Sequence, residues 1–88
     1  MSLSSGLVSQ FVGTRVQAER IRSGRTLTEF AQALDISADE LAAYEGGAER
    51  TPAAVLIEAA RELDQPVSCF FEGFNRYLSV PLEHTRGL

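Results

Sequence analysis

The stretch Thr26-Leu27-Thr28-Glu29-Phe30-Ala31-Gln32-Ala33-Leu34-Asp35-Ile36-Ser37-Ala38-Asp39-Glu40-Leu41-Ala42-Ala43-Tyr44-Glu45 decides the fold of this chain. Thr26 with Glu29 three positions on is the signature of a capping box, in which each side chain satisfies a free backbone N–H at the start of a helix. Ser37 with Glu40 repeats it. The spacing predicts one helix over about 27–34, with Leu27, Phe30, Ala31 and Leu34 on an apolar face. It predicts a second over about 38–45, where Leu41 and Tyr44 continue that face. Only Asp35 and Ile36 separate the first helix from the cap of the second, and aspartate tolerates the left-handed backbone that such a turn needs.

So short a connection sets two helices at a steep angle, as in a helix-turn-helix. Ala31 is small where the two helices approach. Phe30, Leu34, Ile36, Leu41 and Tyr44 are apolar where the unit faces inward.

Upstream, Val8, Val12 and Val16 recur every four residues, flanked by Phe11, Ala18 and Ile21, and predict a helix from about Leu7 to Ser23 closed by a left-handed Gly24. Downstream, Thr51-Pro52 reads as a cap followed by proline at the first helical position. Val55, Leu56, Ala59, Ala60 and Leu63 form the stripe of that helix, which ends at Asp64-Gln65-Pro66. Ser68 is expected to cap a short fifth helix carrying Cys69, Phe70 and Phe71 as core residues, closed by Gly73. The expected architecture is a single all-α, compact five-helix domain. It has an N-terminal extension over 1–6, the helix-turn-helix domain over 7–73 and a tail over 74–88. Phe74, Tyr77, Leu78, Val80 and Leu82 of that tail either fold back on the fifth helix or join a dimer interface, the latter being preferred.

Composition narrows the functions. The hydrophobic fraction of 44% suits a folded globule. No apolar run is long enough to span a membrane, and no basic-then-apolar leader opens the chain, so a cytoplasmic location is expected. The lone Cys69 cannot form an internal disulfide, and with the lone His84 it cannot supply the usual four-ligand zinc site. Neither a glycine-rich phosphate loop nor a plausible nucleophile–base set is present. The expectation is a non-enzyme with no cofactor and no metal.

The series Arg15-Val16 to Glu19-Arg20-Ile21, Phe30-Ala31-Gln32-Ala33-Leu34, Tyr44-Glu45-Gly46-Gly47, Thr51-Pro52, Ala59-Ala60-Arg61-Glu62-Leu63 and Phe70-Phe71-Glu72-Gly73 resembles the lambda-repressor-like Cro/CI (XRE) regulators over roughly 11–73. The resemblance implies a five-helix domain that binds double-stranded operator DNA as a homodimer, with half-sites about 34 Å apart. It implies base-facing positions at Ser37, Ala38, Asp39, Ala42 and Ala43, and an ion pair between Arg20 and Glu45. Arg50, in the loop after the reading helix, falls where the family contacts phosphate. The backbone N–H groups near Thr26 and Leu27, with Arg25 beside them, are a second expected phosphate contact.

Two features depart from that pattern. The base-facing positions hold no arginine, lysine, asparagine or glutamine, the side chains that most often read guanine and adenine. From Leu27 to Arg50 there are six acids (Glu29, Asp35, Asp39, Glu40, Glu45, Glu49) against one base (Arg50), a balance of −5, within a chain of net charge −4. DNA-binding domains are more often basic. The alternative is a protein-interaction module of the same fold, presenting its acidic third helix to a basic protein partner.

Overall fold

The computed structural model describes residues 5–72. Among them are four α-helices, a terminal 3-10 helix and no strand: α1 Ser5–Arg22, α2 Leu27–Ala33, α3 Ala38–Glu45, α4 Ala53–Leu63, and the 3-10 helix Val67–Phe71. The fifth element is thus a tight 3-10 turn rather than an α-helix, and α1 begins at Ser5, inside the expected extension. Gly73 and the whole 74–88 tail lie outside the described residues. Among the described residues no helix is long and apolar enough to cross a membrane.

The local chemistry of the deciding stretch sets α2 and α3. Thr26 Oγ1 accepts from the Glu29 N–H at 3.1 Å while Glu29 Oε1 accepts from the Thr26 N–H at 3.0 Å. Ser37 and Glu40 exchange the same two bonds, both at 3.0 Å. Asp35 takes φ 61° between them, and the Ile36 N–H reaches back to the Ala31 carbonyl at 3.0 Å. That bond reverses the chain in one left-handed residue. Asp64 does the same after α4 with φ 55°, letting the Gln65 N–H reach the Ala60 carbonyl at 2.9 Å. Gly24 closes α1 in the left-handed region, as its position predicts.

The core draws on every element. Val12 and Val16 of α1, Phe30 and Ala31 of α2, Leu41 of α3, Leu56, Ala59 and Ala60 of α4, and Cys69 and Phe70 of the 3-10 helix form one buried cluster. Helix α3 packs on α1 and α2, and the 3-10 helix packs on α1 and α4.

Five expectations are corrected. Ala18 and Ile21 are exposed, Ile21 at 59%. Ala18 stands about 200° round the helix from Val16, so it cannot share the valine stripe. The inward side of α1 is completed instead by Ser9, Gly13 and Glu19. Phe71 is also exposed, because the 3-10 turn directs Phe70 inward and leaves its neighbour outside. Thr51 does not cap α4: Pro52 occupies the cap position, extended at ψ 149°, and the buried Thr51 hydroxyl has no hydrogen-bond partner. Nor does Ser68 cap the 3-10 helix, which starts a residue earlier, after Pro66.

Candidate nucleic-acid interface

Helix α3 divides into two sides. Its inner side, Leu41, Tyr44 and Glu45, is buried; on the outer side Ser37, Asp39, Glu40, Ala42 and Gly46 are exposed, with Ala38 and Ala43 half-buried. The residues expected to face bases therefore share one accessible strip. Among the described residues, Asp39 and Glu49 have no ion-pair partner, and the Glu40 carboxylate is engaged with the Ser37 N–H of its cap. The strip presents methyl groups, one hydroxyl already accepting a bond, and carboxylates.

What holds the strip in place is the inner end of α3. Arg20 clasps Glu45 through two parallel bonds, Nε to Oε2 at 2.7 Å and Nη2 to Oε1 at 3.0 Å, with side-chain exposures of 11% and 3%. Its remaining nitrogen, Nη1, donates to the Arg25 carbonyl at 2.8 Å, so one guanidinium ties α1, the α1–α2 turn and α3 together. The bond to Glu45 pushes the Arg20 pKa further up, partly offset by burial. Close by, Gly13 is buried against the end of α3: a Cβ there would overlap the Tyr44 carbonyl oxygen and fall 2.9 Å from that of Glu45. Gly47, at φ +78°, similarly abuts Gln10, where a Cβ would fall 2.7 Å from Cγ.

The expected phosphate contacts are not equally available. Arg25 is latched to the far side of the fold. Its Nη1 donates to Glu62 Oε1 and its Nη2 to the Glu62 carbonyl, both at 3.0 Å, while the guanidinium lies 5.8 Å from the Phe30 ring centroid. The Thr26 N–H is taken by Glu29, whose carboxyl is held below the usual range by that backbone bond and by the Thr26 hydroxyl. Arg15, Arg22 and Arg61 also pair with carboxylates: Arg15 with Glu19 and Glu72, Arg22 with Glu19, and Arg61 with Glu58. Arg50 is the arginine that has no ion pair among the described residues, and it is exposed at the end of the loop after α3.

Sequence reasoning passes over Gly13, the buried Glu19 and the Arg25–Glu62 latch. Gly13 sits one position after Val12 of the stripe, and a glycine inside a helical pattern signals close backbone approach. Arg15, Glu19 and Arg22 stand at i,i+4 and i,i+3 spacing, a readable signal for surface pairs though not for a buried carboxylate. Arg25 and Glu62 carry no local signal.

No family model matches the chain. Two curated proteins described as uncharacterised HTH-type transcriptional regulators are similar to it. One is from Rickettsia conorii, 27% identical over 82 residues, covering 90% of this chain and 66% of that protein. The other, from Rickettsia prowazekii, is also 27% identical over 82 residues and covers 90% and 63%. This chain thus spans just under two thirds of the length of those relatives. Two crystal structures of the clp gene regulator ClgR from Corynebacterium glutamicum share its architecture. One has a TM-score of 0.69 at 23% identity, covering 84% of this chain and 94% of that one. The other has a TM-score of 0.70 at 22% identity, covering 90% and 82%. The fold is the one those ClgR structures share.

Proposed function

We propose that the chain is a DNA-binding transcriptional regulator of the Cro/CI (XRE) type, acting as a repressor by occupying operator DNA as a homodimer. The observation that carries this reading is the pair α2–α3, capped at both starts, joined through left-handed Asp35 and leaving the outer strip of α3 open. The similarity to proteins named HTH-type transcriptional regulators supports it.

In this reading α3 enters the major groove. Ala38, Ala42 and Ala43 offer methyl contacts suited to thymine, and Asp39 accepts from a cytosine amino group, with Ser37 at the entry. Arg50 supplies the phosphate contact that needs no rearrangement, joined by the N–H of Leu27. Arg25 reaches a phosphate only by leaving Glu62.

The test is fluorescence anisotropy of the chain with its own upstream DNA and with a scrambled duplex, at low and moderate salt. Preference for the upstream DNA, weakening as salt rises, is the expected outcome. If neither that duplex nor any member of a random library binds at low salt, the DNA reading fails. The second reading, a protein-interaction module, is favoured by one observation: Asp39 and Glu49 stand unpaired while five of the six described arginines are paired with carboxylates. Capture of a basic protein partner by the wild type and not by an Asp39→Lys variant would support it.

A further inference from the structure

Four residues, Ser23 to Thr26, join α1 to α2, and among them Arg25 is bonded on both its backbone and its side chain. Its N–H donates to the Arg20 carbonyl at 3.3 Å, and its carbonyl accepts from Arg20 Nη1 at 2.8 Å. The same Arg20 guanidinium grips Glu45 with its other two nitrogens. The Arg25 side chain points to another helix. Its fork takes the Glu62 carboxylate with Nη1 and the Glu62 carbonyl with Nη2, over the ring of the buried Phe30. A chain of polar bonds therefore runs unbroken from the last turn of α4, through Arg25 and Arg20, to the last residue of α3. The Arg25–Glu62 pair is about one-third exposed on each side, 34% and 36%, so solvent screens much of its attraction. What the contact fixes is place. A planar fork that holds a carboxylate and a carbonyl at once, against a ring, has a geometry that a lysine cannot copy.

We infer that Arg25 is a positioning residue for α3 and not a phosphate ligand. Staked to α4 by Glu62, it aims the Arg20 guanidinium at Glu45 and so sets where α3 stands. In the function proposed above α3 is the helix that reads DNA, and the effect of Arg25 on affinity rests on that reading. The two roles predict opposite results at Glu62. A phosphate ligand restrained by Glu62 is released when that carboxylate is neutralised, and DNA binding tightens. A positioning residue loses its anchor, and DNA binding weakens.

The experiment has two readouts on the purified 88-residue chain, and the first needs no DNA. Solvent exchange of the Arg20 Nε–H, followed by 15N NMR, reports how firmly its guanidinium is held on Glu45. Glu62→Gln and Arg25→Gln are each expected to speed that exchange about threefold or more. Glu62→Gln leaves the carbonyl of that position and an amide oxygen in place, so the fold tolerates it. Arg61→Gln is the control: it removes the same charge from an exposed arginine paired within its own helix, and the Arg20 signal is expected to stay unchanged. The second readout is anisotropy with the upstream duplex across a range of salt. Arg25→Gln and Arg25→Lys are both expected to weaken binding about threefold to tenfold, and Glu62→Gln about threefold. The dependence of affinity on salt is expected to match that of Arg61→Gln, whereas loss of a phosphate contact lowers the logarithmic slope by about 0.9. Unchanged Arg20 exchange in both Glu62→Gln and Arg25→Gln overturns the inference. So does tighter DNA binding by Glu62→Gln, a slope lowered by that amount in Arg25→Gln alone, or wild-type affinity in Arg25→Lys, since a point charge serves a phosphate well. If the wild type binds no duplex, the DNA reading fails, and faster Arg20 exchange in the two variants still supports the placing of α3 by Arg25.

Discussion

The two sides of α3 use carboxylates in opposite ways. On the inner side Glu45 is 3% exposed, gripped by Arg20 through two bonds, and joined to the core by the close approach at Gly13. On the outer side Asp39 is exposed and has no ion-pair partner among the described residues. The two groups stand six positions apart in one helix, yet one is a fixture of the fold and the other is available to a partner. Formal charge therefore says little about this helix until burial is known. A buried carboxylate is costly to leave unpaired, and an exposed one is nearly indifferent to its neighbours but sets the field that an approaching polyanion meets.

Glu45→Ala gives the largest expected effect. It leaves Arg20 buried with no counter-charge and should cost about 3–5 kcal/mol in urea denaturation. Replacing both partners together, Arg20→Met with Glu45→Leu, should cost less than Glu45→Ala alone. A single-variant loss under about 1 kcal/mol would show the pair behaving like a solvated surface bridge and erase the contrast between the two sides.

Gly13→Ala comes next, and its sign is the point. In an exposed helix interior the change stabilises by up to about 1 kcal/mol. Here the added methyl meets backbone carbonyls that cannot swing aside, so a loss of about 1–3 kcal/mol is expected, read from the same denaturation curves. A gain would mean that α1 and α3 do not approach as closely as Gly13 permits.

Asp39→Asn should alter stability by no more than about 0.5 kcal/mol. Its effect should appear in anisotropy: tighter binding to the scrambled duplex at low salt, about twofold to fivefold, together with a reduced preference for the operator. Unchanged affinity for both duplexes would remove Asp39 from the interface.

The smallest effect concerns Glu29, a third use of a carboxylate, fully solvated yet committed to its cap. Its pKa is lowered by bonds from the Thr26 backbone and hydroxyl. A group whose folded pKa is depressed stabilises the fold above its unfolded pKa, and that contribution is lost as pH falls through the folded value. Stability measured from neutral to acid pH should therefore fall less steeply in Glu29→Gln than in the wild type. Identical slopes would mean the box contributes nothing ionic.

The capping boxes and the Asp35 turn were legible in the sequence because they are local: each bond spans three to five residues, and residue type alone encodes it. The candidate base-facing strip was legible as an arc for the same reason, since helical geometry places Ser37, Asp39 and Ala42 relative to Leu41 and Tyr44. Arg25 was not. By its position it reads as a phosphate ligand at the start of α2, but the fold delivers Glu62 to it from 37 residues away. Thr51-Pro52 failed for a finer reason: the pattern of cap and proline fits either register, and the register with Pro52 at the cap position leaves the hydroxyl idle.

By itself, then, the sequence determined where α2 and α3 start, how the chain turns between them and which side of the pair is apolar, because these follow from hydrogen bonds and periodicities a few residues long. The tertiary structure alone decided which charges are spent and which are free. Glu19, Glu45 and Arg25 are committed by partners or burial that only packing supplies, whereas Arg50 has no ion pair among the described residues. Ion-pair energies depend on distance and solvent exposure, and a linear sequence specifies neither.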